Sequence, residues 1–258
     1  MTDQTPTQTG QIIWHDLMTT DLDRAKEFYQ ALFGWTMHEQ EMGPMGNYAV
    51  IQHHGQPIGG MVNIDPQHGL PSHWLAYLTV DDVEELCKRI PKLGGSVAVE
   101  PRGVPGAGQF AILHDPANGV FSAMQMAGDA GRPPRTKDHG MFYWDQLLTN
   151  NSDVMGKFYG DLFGWTVDKY EMGDLGYYGI FKRGDQSVAG MLPLAEGDTR
   201  KPGWLPYIAV EDIDASVEKV KELKAEVITG PDIIYGIGKY AVIRDHTGSV
   251  FGLYKPAG

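Results

Sequence analysis

The chain has 258 residues, enough for one large domain or two of ordinary size, and its 42% hydrophobic and 21% charged content suits a globular protein. A formal net charge of −12, with no block of Lys or Arg, argues against nucleic acid or an anionic membrane as partner. No run of about 18 apolar residues offers a membrane-spanning helix, and the polar opening MTDQTPTQTGQ lacks the apolar stretch of a secretory signal, so a cytoplasmic location is expected.

Residues 1–10 read as a flexible tail. The stretch IIWHDLMT that follows alternates as a strand does. DLDRAKEFYQALFG is then a helix: Asp21 caps it, Leu22, Ala25, Phe28, Tyr29, Leu32 and Phe33 recur at helical spacing, and Gly34 closes it. Strands are predicted near 35–39, 48–53 and 57–64. The order then restarts. WLAYLTV reads as a strand and DDVEELCKRIPKLG as a helix capped by Asp81, with Val83, Leu86, Cys87, Ile90 and Leu93 facing inward. Cys87 is the sole cysteine, so no internal disulfide is available, and it reads as a small core hydrophobe rather than a nucleophile. Three more strands are predicted near Val97, 110–114 and 120–125. Residues 11–126 therefore hold two βαβββ modules.

The segment AGDAGRPPRTKDHG, residues 127–140, reads as a linker. Residues 141–258 then repeat the first half at an offset of 130. FYQALFGWT becomes FYGDLFGWT, Trp14 falls on Trp144, Gly60 and Met61 on Gly190 and Met191, and WLAY on WLPY. Pro101, Asp115 and Phe121 fall on Pro231, Asp245 and Phe251. Helices are expected to begin near Asp153 and Asp212.

One strand, one helix and three strands, repeated in pairs, resembles the vicinal oxygen chelate superfamily, which includes glyoxalase I, bleomycin-resistance proteins, fosfomycin-resistance enzymes and extradiol dioxygenases. The resemblance is carried by DLDRAKEFYQALFGW, VDDVEELCKRIPKLGG and GQFAILHDPANGVF with their second-half partners, and it covers about Gln11 to Lys255. It implies an α+β fold of four βαβββ modules in two tandem halves, with sheets curled into U-shaped clefts and helices outside. It leaves open whether clefts form within or across the halves.

Metal-dependent members of the family place a ligand on the first strand of a module, thirteen residues before the Phe of FY, and another on the last strand. The resemblance puts these positions on His15 and Asp145, and on Gly60 and Gly190. In the second module of each half it puts them on Leu75 and Leu205, and on Ser122 and Gly252. No grouping of these residues offers more than two side chains able to bind a divalent ion, which needs three or four. The family metal site therefore reads as lost, and no cofactor is expected. His15 remains the candidate acid or base, and Asp145 its counterpart. Residues of matching strand parity supply a lining: Val62, Tyr77, Met124, Tyr143, Tyr207 and Tyr254, with Ser122. Such a Tyr-rich surface suits a planar or amphipathic organic molecule.

Other features read as structural. QHHGQ, with His53 and His54, is a solvated hairpin, and the Gly-rich loops at 43–47, 103–108, 173–176 and 235–238 are hairpin connections rather than phosphate cradles. His73 lies two residues from Leu75 and is a minor candidate for a metal site. Two readings follow. The first is a metal-free module that holds a hydrophobic or aromatic small molecule. The second is a glyoxalase- or lyase-type enzyme acting beside a carbonyl, with His15 as base or as ligand of a nonstandard metal site. Four modules in one chain make a monomer sufficient, and a homodimer is compatible.

Overall fold

A computed structural model describes residues 9–41, 47–128, 135–234 and 237–257. The expectations for residues 1–8, for most of loop 43–47, for 129–134 of the linker and for the start of loop 235–238 lie outside the described residues.

The repeat appears as four successive βαβββ modules. The first is β1 (Ile12–Thr19), α1 (Leu22–Phe33), β2 (Thr36–Glu41), β3 (Asn47–His53) and β4 (Gln56–Asn63); the second is β5 (His73–Thr79), α2 (Val83–Arg89), β6 (Ser96–Val104), β7 (Gly108–His114) and β8 (Val120–Met126). The third is β9 (Phe142–Thr149), α3 (Ser152–Phe163), β10 (Thr166–Glu171), β11 (Tyr177–Arg183) and β12 (Gln186–Pro193); the fourth is β13 (Gly203–Ala209), α4 (Ile213–Glu222), β14 (Glu226–Ile234), β15 (Gly238–Arg244) and β16 (Val250–Pro256).

Local chemistry sets the helix ends. Asp21 accepts from the Arg24 N–H at the start of α1, and Gly34 ends it with φ +69°, a left-handed conformation that costs other residues more. Asn151 and Gly164 do the same for α3. The cap of α2 is Asp82 rather than the expected Asp81: its carboxylate accepts from Glu85 N at 2.9 Å. Pro91 cannot donate to an α-helical ladder, so α2 gives way to a tighter 3-10 turn at Ile90–Leu93.

The strands form two mixed eight-stranded sheets, in the orders β2-β3-β4-β1-β5-β8-β7-β6 and β10-β11-β12-β9-β13-β16-β15-β14. This corrects the expectation of U-shaped clefts. Each order is an open row with two ends, and neither sheet is closed or strongly curled. On the sheet surface the Tyr48 hydroxyl and the Tyr207 ring lie directly over Gly60 and Gly252 of neighbouring strands.

By contacts the chain divides into two compact units that do not follow the sequence halves. Unit 1 is Met1–Trp14, Ala76–Arg132 and Asp145–Trp204; unit 2 is His15–Leu75, Pro133–Trp144 and Leu205–Gly258. Unit 1 therefore combines the second and third modules, and unit 2 the first and fourth. The core of unit 1 joins Ile90, Leu113 and Phe121 to Phe158, Leu162 and Trp165. The core of unit 2 joins Phe28, Leu32 and Trp35 to Val217, Val220 and Phe251.

Each core is crossed by a hydrogen-bonded chain of three side chains. In unit 2, Trp74 Nε1 donates to the Tyr29 hydroxyl at 3.1 Å, which donates to Asp245 Oδ2 at 2.9 Å. In unit 1, Trp204 Nε1 donates to the Tyr159 hydroxyl at 2.9 Å, which donates to Asp115 Oδ2 at 3.1 Å. The second carboxylate oxygens hold the turns before β8 and β16: Asp115 accepts from Ala117 and Gly119 N–H, and Asp245 from Thr247 and Ser249 N–H. Burial, and then the adjacent carboxylate, push both phenols well above their ordinary range, so both keep their protons and donate.

Candidate functional site

Register decides which residues occupy the positions expected to be functional. In the parallel pair β1·β4, Asp16 lies opposite Gly60 and Met18 opposite Val62. In β9·β12 the corresponding pair is Gln146 and Gly190. In β5·β8, Tyr77 lies opposite Ser122, and in β13·β16 Tyr207 lies opposite Gly252. The side chains at the expected last-strand ligand positions and directly opposite them are thus Asp16, Gln146, Tyr77, Ser122 and Tyr207.

His15 is one residue from Asp16 and turns the other way. Its side is that of Leu17, a core residue, and its ring stacks on Phe142 with centroids 4.2 Å apart. Only 3% of it is exposed. Asp145 is buried likewise, one residue before Gln146. His15 falls in unit 2 and Asp145 in unit 1. Leu75 and Leu205 are buried one strand step before Tyr77 and Tyr207 on the same face.

Unit 2 gathers His15, Val62, Tyr143, Tyr207 and Tyr254 from the expected residues. It adds Asp16 and Tyr48, which the spacing argument passed over. The Tyr48 hydroxyl donates to Asp16 Oδ1 at 2.7 Å. A Cβ at Gly60 would lie 2.0 Å from that hydroxyl and 2.5 Å from the carboxylate oxygen, so the contact exists because residue 60 has no side chain. Gly252 plays the same part for Tyr207: a Cβ there would come within 2.1 Å of the ring. Farther along β16, Tyr254 stacks on Tyr143 at 5.3 Å with planes 12° apart, and Tyr240 pairs with it from β15. The Tyr254 hydroxyl is held by the Ile237 carbonyl at 2.7 Å.

Unit 1 gathers Tyr77, Ser122, Met124 and Asp145. Tyr178 donates to Gln146 Oε1 at 3.4 Å, the counterpart of the Tyr48–Asp16 contact. The Tyr77 ring lies 6.1 Å from Phe110, and the buried Ser122 hydroxyl donates to the Ala111 carbonyl at 3.0 Å. The sequence signal that would have found Tyr48 was present: it falls on Tyr178 at the repeat offset, and each is a Tyr in a strand beside the glycine-bearing one.

These residues do not fit the divalent ion of metal-dependent relatives. Unit 2 offers one carboxylate and phenols at the paired positions, with the Gly60 position filled by a phenol that donates to that carboxylate. Unit 1 offers an amide, a phenol and a hydroxyl already donating to a backbone carbonyl. Among the described residues, no group of three His, Cys, Asp or Glu is placed to hold a metal. His73 Nδ1 lies 2.9 Å from the Pro71 carbonyl at the start of β5. His53 and His54 form the β3–β4 hairpin, where His54 and Gly55 take φ +49° and +75°, and His53 Nε2 meets the His139 carbonyl at 2.6 Å.

Cys87 lies inside α2 with its thiol pushed up by burial and by Glu100 and Glu84, which disfavours the nucleophilic thiolate. It borders a surface hollow of about 600 Å³ between α2 and β6. Among the described residues no helix is long and apolar enough to cross a membrane.

The model of the Glyoxalase/Bleomycin resistance protein/Dioxygenase superfamily matches twice, over residues 11–121 and 140–253. The chain belongs to this superfamily. It carries two tandem glyoxalase-like domains. Among relatives of this superfamily member, a Mycobacterium bovis protein designated CFP32, called a glyoxylase by name alone, is 30% identical over 251 residues, covering 95% of this chain and 94% of its own. The anthracycline biosynthesis protein DnrV of Streptomyces peucetius is 30% identical over 244 residues, covering 86% and 85%. Of solved structures, the Mn(II)-bound glyoxalase of Novosphingobium aromaticivorans superposes with a TM-score of 0.65 at 19% identity, over 96% of this chain and 83% of that one. The 2,3-dioxygenase LapB of Pseudomonas sp. KL28 does so at 0.65 and 12%, over 98% and 94%. These superpositions show a shared fold.

Proposed function

We propose that this superfamily member binds a small hydrophobic or aromatic molecule on its tyrosine-bearing sheet faces, without the superfamily metal. The carrying observation is the pair of glycine–tyrosine contacts in unit 2. Tyr48 covers Gly60 and Tyr207 covers Gly252, the positions that the family resemblance assigns to metal ligands. The surface around them is phenolic: Tyr143 and Tyr254 present stacked, half-buried rings, a platform for a planar molecule. The similarity to a protein of anthracycline biosynthesis supports this reading, because an anthracycline is a planar polycyclic aromatic. The proton-moving reading draws less support, because the His15 ring lies against Phe142 within the core. One chain supplies both faces, so binding requires no second copy.

The reading is tested by calorimetric titration with a neutral planar aromatic, 2-(hydroxymethyl)anthraquinone. Saturable binding is expected, weakened about tenfold in Tyr254→Ala and in Tyr143→Ala through loss of the stacked ring. Absence of saturable binding, or affinity unchanged in both variants, would overturn it.

A further inference from the structure

The two units place opposite charges at equivalent positions of their aromatic faces. In unit 1, Arg102 pairs with Phe110 across β6·β7, and Phe110 with Met124 across β7·β8. In unit 2, Asp232 pairs with Tyr240 across β14·β15, and Tyr240 with Tyr254 across β15·β16. The repeat offset carries Arg102 onto Asp232, Phe110 onto Tyr240 and Met124 onto Tyr254. Residues directly opposed in a ladder share a face. Each exposed charge therefore stands at the outer end of its row: beside the half-buried Phe110 ring and then buried Met124 in unit 1, and beside the half-buried Tyr240 and Tyr254 rings in unit 2.

A second difference lies on the first strands. The buried carboxylate of Asp16 faces Gly60 in unit 2, where the amide of Gln146 faces Gly190 in unit 1. Unit 2 thus carries two carboxylates where unit 1 carries an amide and a guanidinium. Among the described residues, Lys182 and Asp168 on the unit 1 face lie 3.1 Å apart and Arg244 and Glu226 on the unit 2 face lie 2.5 Å apart, so each pair offsets itself.

We propose that the two faces select ligands of opposite charge. Unit 1 takes a planar aromatic acid, its carboxylate on Arg102 and its rings against Phe110 and Tyr77. Unit 2 takes a planar aromatic amine, its ammonium toward Asp232 and its rings against Tyr240 and Tyr254. The guanidinium fork matches a carboxylate, and an ammonium is favoured both by a carboxylate and by phenol faces. Discrimination comes from repulsion as much as attraction, since each face bears the charge its non-partner carries. Edge protection is the plainer account of a charge on an end strand, but it asks for a charge of either sign and predicts no ligand effect. The inference rests on the binding reading above and names the ligand class of each face.

The experiment is a fluorescence-anisotropy titration with 9-anthracenecarboxylate, 9-(aminomethyl)anthracene and neutral 9-anthracenemethanol. Arg102→Gln is expected to weaken the acid roughly tenfold and leave the amine unchanged, and Asp232→Asn the converse. Arg102→Asp is expected to raise the amine stoichiometry from one to two. Both positions are exposed, so the variants keep the fold. If the alcohol and both charged probes bind equally in all variants, the charge assignment falls while the binding reading stands. If none of the three binds, both fall.

Discussion

Tyr29 and Tyr159, both fully buried, each take a hydrogen bond from an indole and give one to a carboxylate. Removing the hydroxyl leaves two buried polar atoms unmatched in one step. Tyr159→Phe is expected to cost about 1–3 kcal/mol in urea denaturation, and Tyr29→Phe a similar amount. A change within about 0.5 kcal/mol for both would show the chains to be incidental. Neither role was legible beforehand, although the sequence aligned Asp115 with Asp245 and Tyr29 with Tyr159. A helical stripe shows that a Tyr is buried; it does not show what its hydroxyl meets. His15 and Asp16 make the same point more sharply. Counting back from Phe28 lands within one residue of the position opposite Gly60, yet in a strand one residue is the difference between two faces. Strand pairing, which single-sequence spacing does not contain, decides between them.

At the scale of elements, most of the molecule was legible. The spacing of Leu22, Ala25, Phe28, Tyr29, Leu32 and Phe33 predicts α1 as observed, and FGW marks its end in both copies. The prediction over 57–64 meets β4 at Gln56–Asn63 within a residue. Curvature was not legible, because it depends on twist and on which side chains fill the sheet face, neither of which has a sequence period. The β3–β4 hairpin offers a test of one side-chain contact made at its tip. His53 sits against the His139 carbonyl, and burial lowers its pKa, with the nearby His54 and His139 adding to the shift against the opposing backbone hydrogen bond. The neutral ring is therefore the folded form. Its stabilisation is complete above the ordinary histidine value of about 6.5 and is lost as pH falls through the lowered folded value. The urea midpoint is expected to drop between about pH 7.5 and about pH 5.5, and to drop less in His53→Gln, which keeps an N–H donor. Equal drops would remove His53 from the account.

For the whole molecule, the decisive fact is that neither compact unit comes from one half of the sequence. Phe121 and Leu113 of the first half share a core with Phe158 and Trp165 of the second, and Trp35 of the first with Phe251 of the second. Residues 11–126 expressed alone would expose both faces of that packing. They are expected to aggregate or to self-associate in size-exclusion chromatography rather than run as a cooperatively unfolding monomer. A stable monomeric half would contradict the units described here.

The same lacing bears on how the two faces can change. Asp16 belongs to the first copy of the repeat and Asp232 to the second, yet both serve unit 2; Arg102 and Gln146 are divided in the same way for unit 1. A substitution in either copy alters one face and spares the other, while a lesion in the shared Phe–Gly–Trp framework weakens a core built from both. After a duplication, drift at one of the proposed binding faces would carry no penalty at its twin. One polypeptide can then behave as an internal heterodimer, its two units sharing an architecture without having to share a ligand.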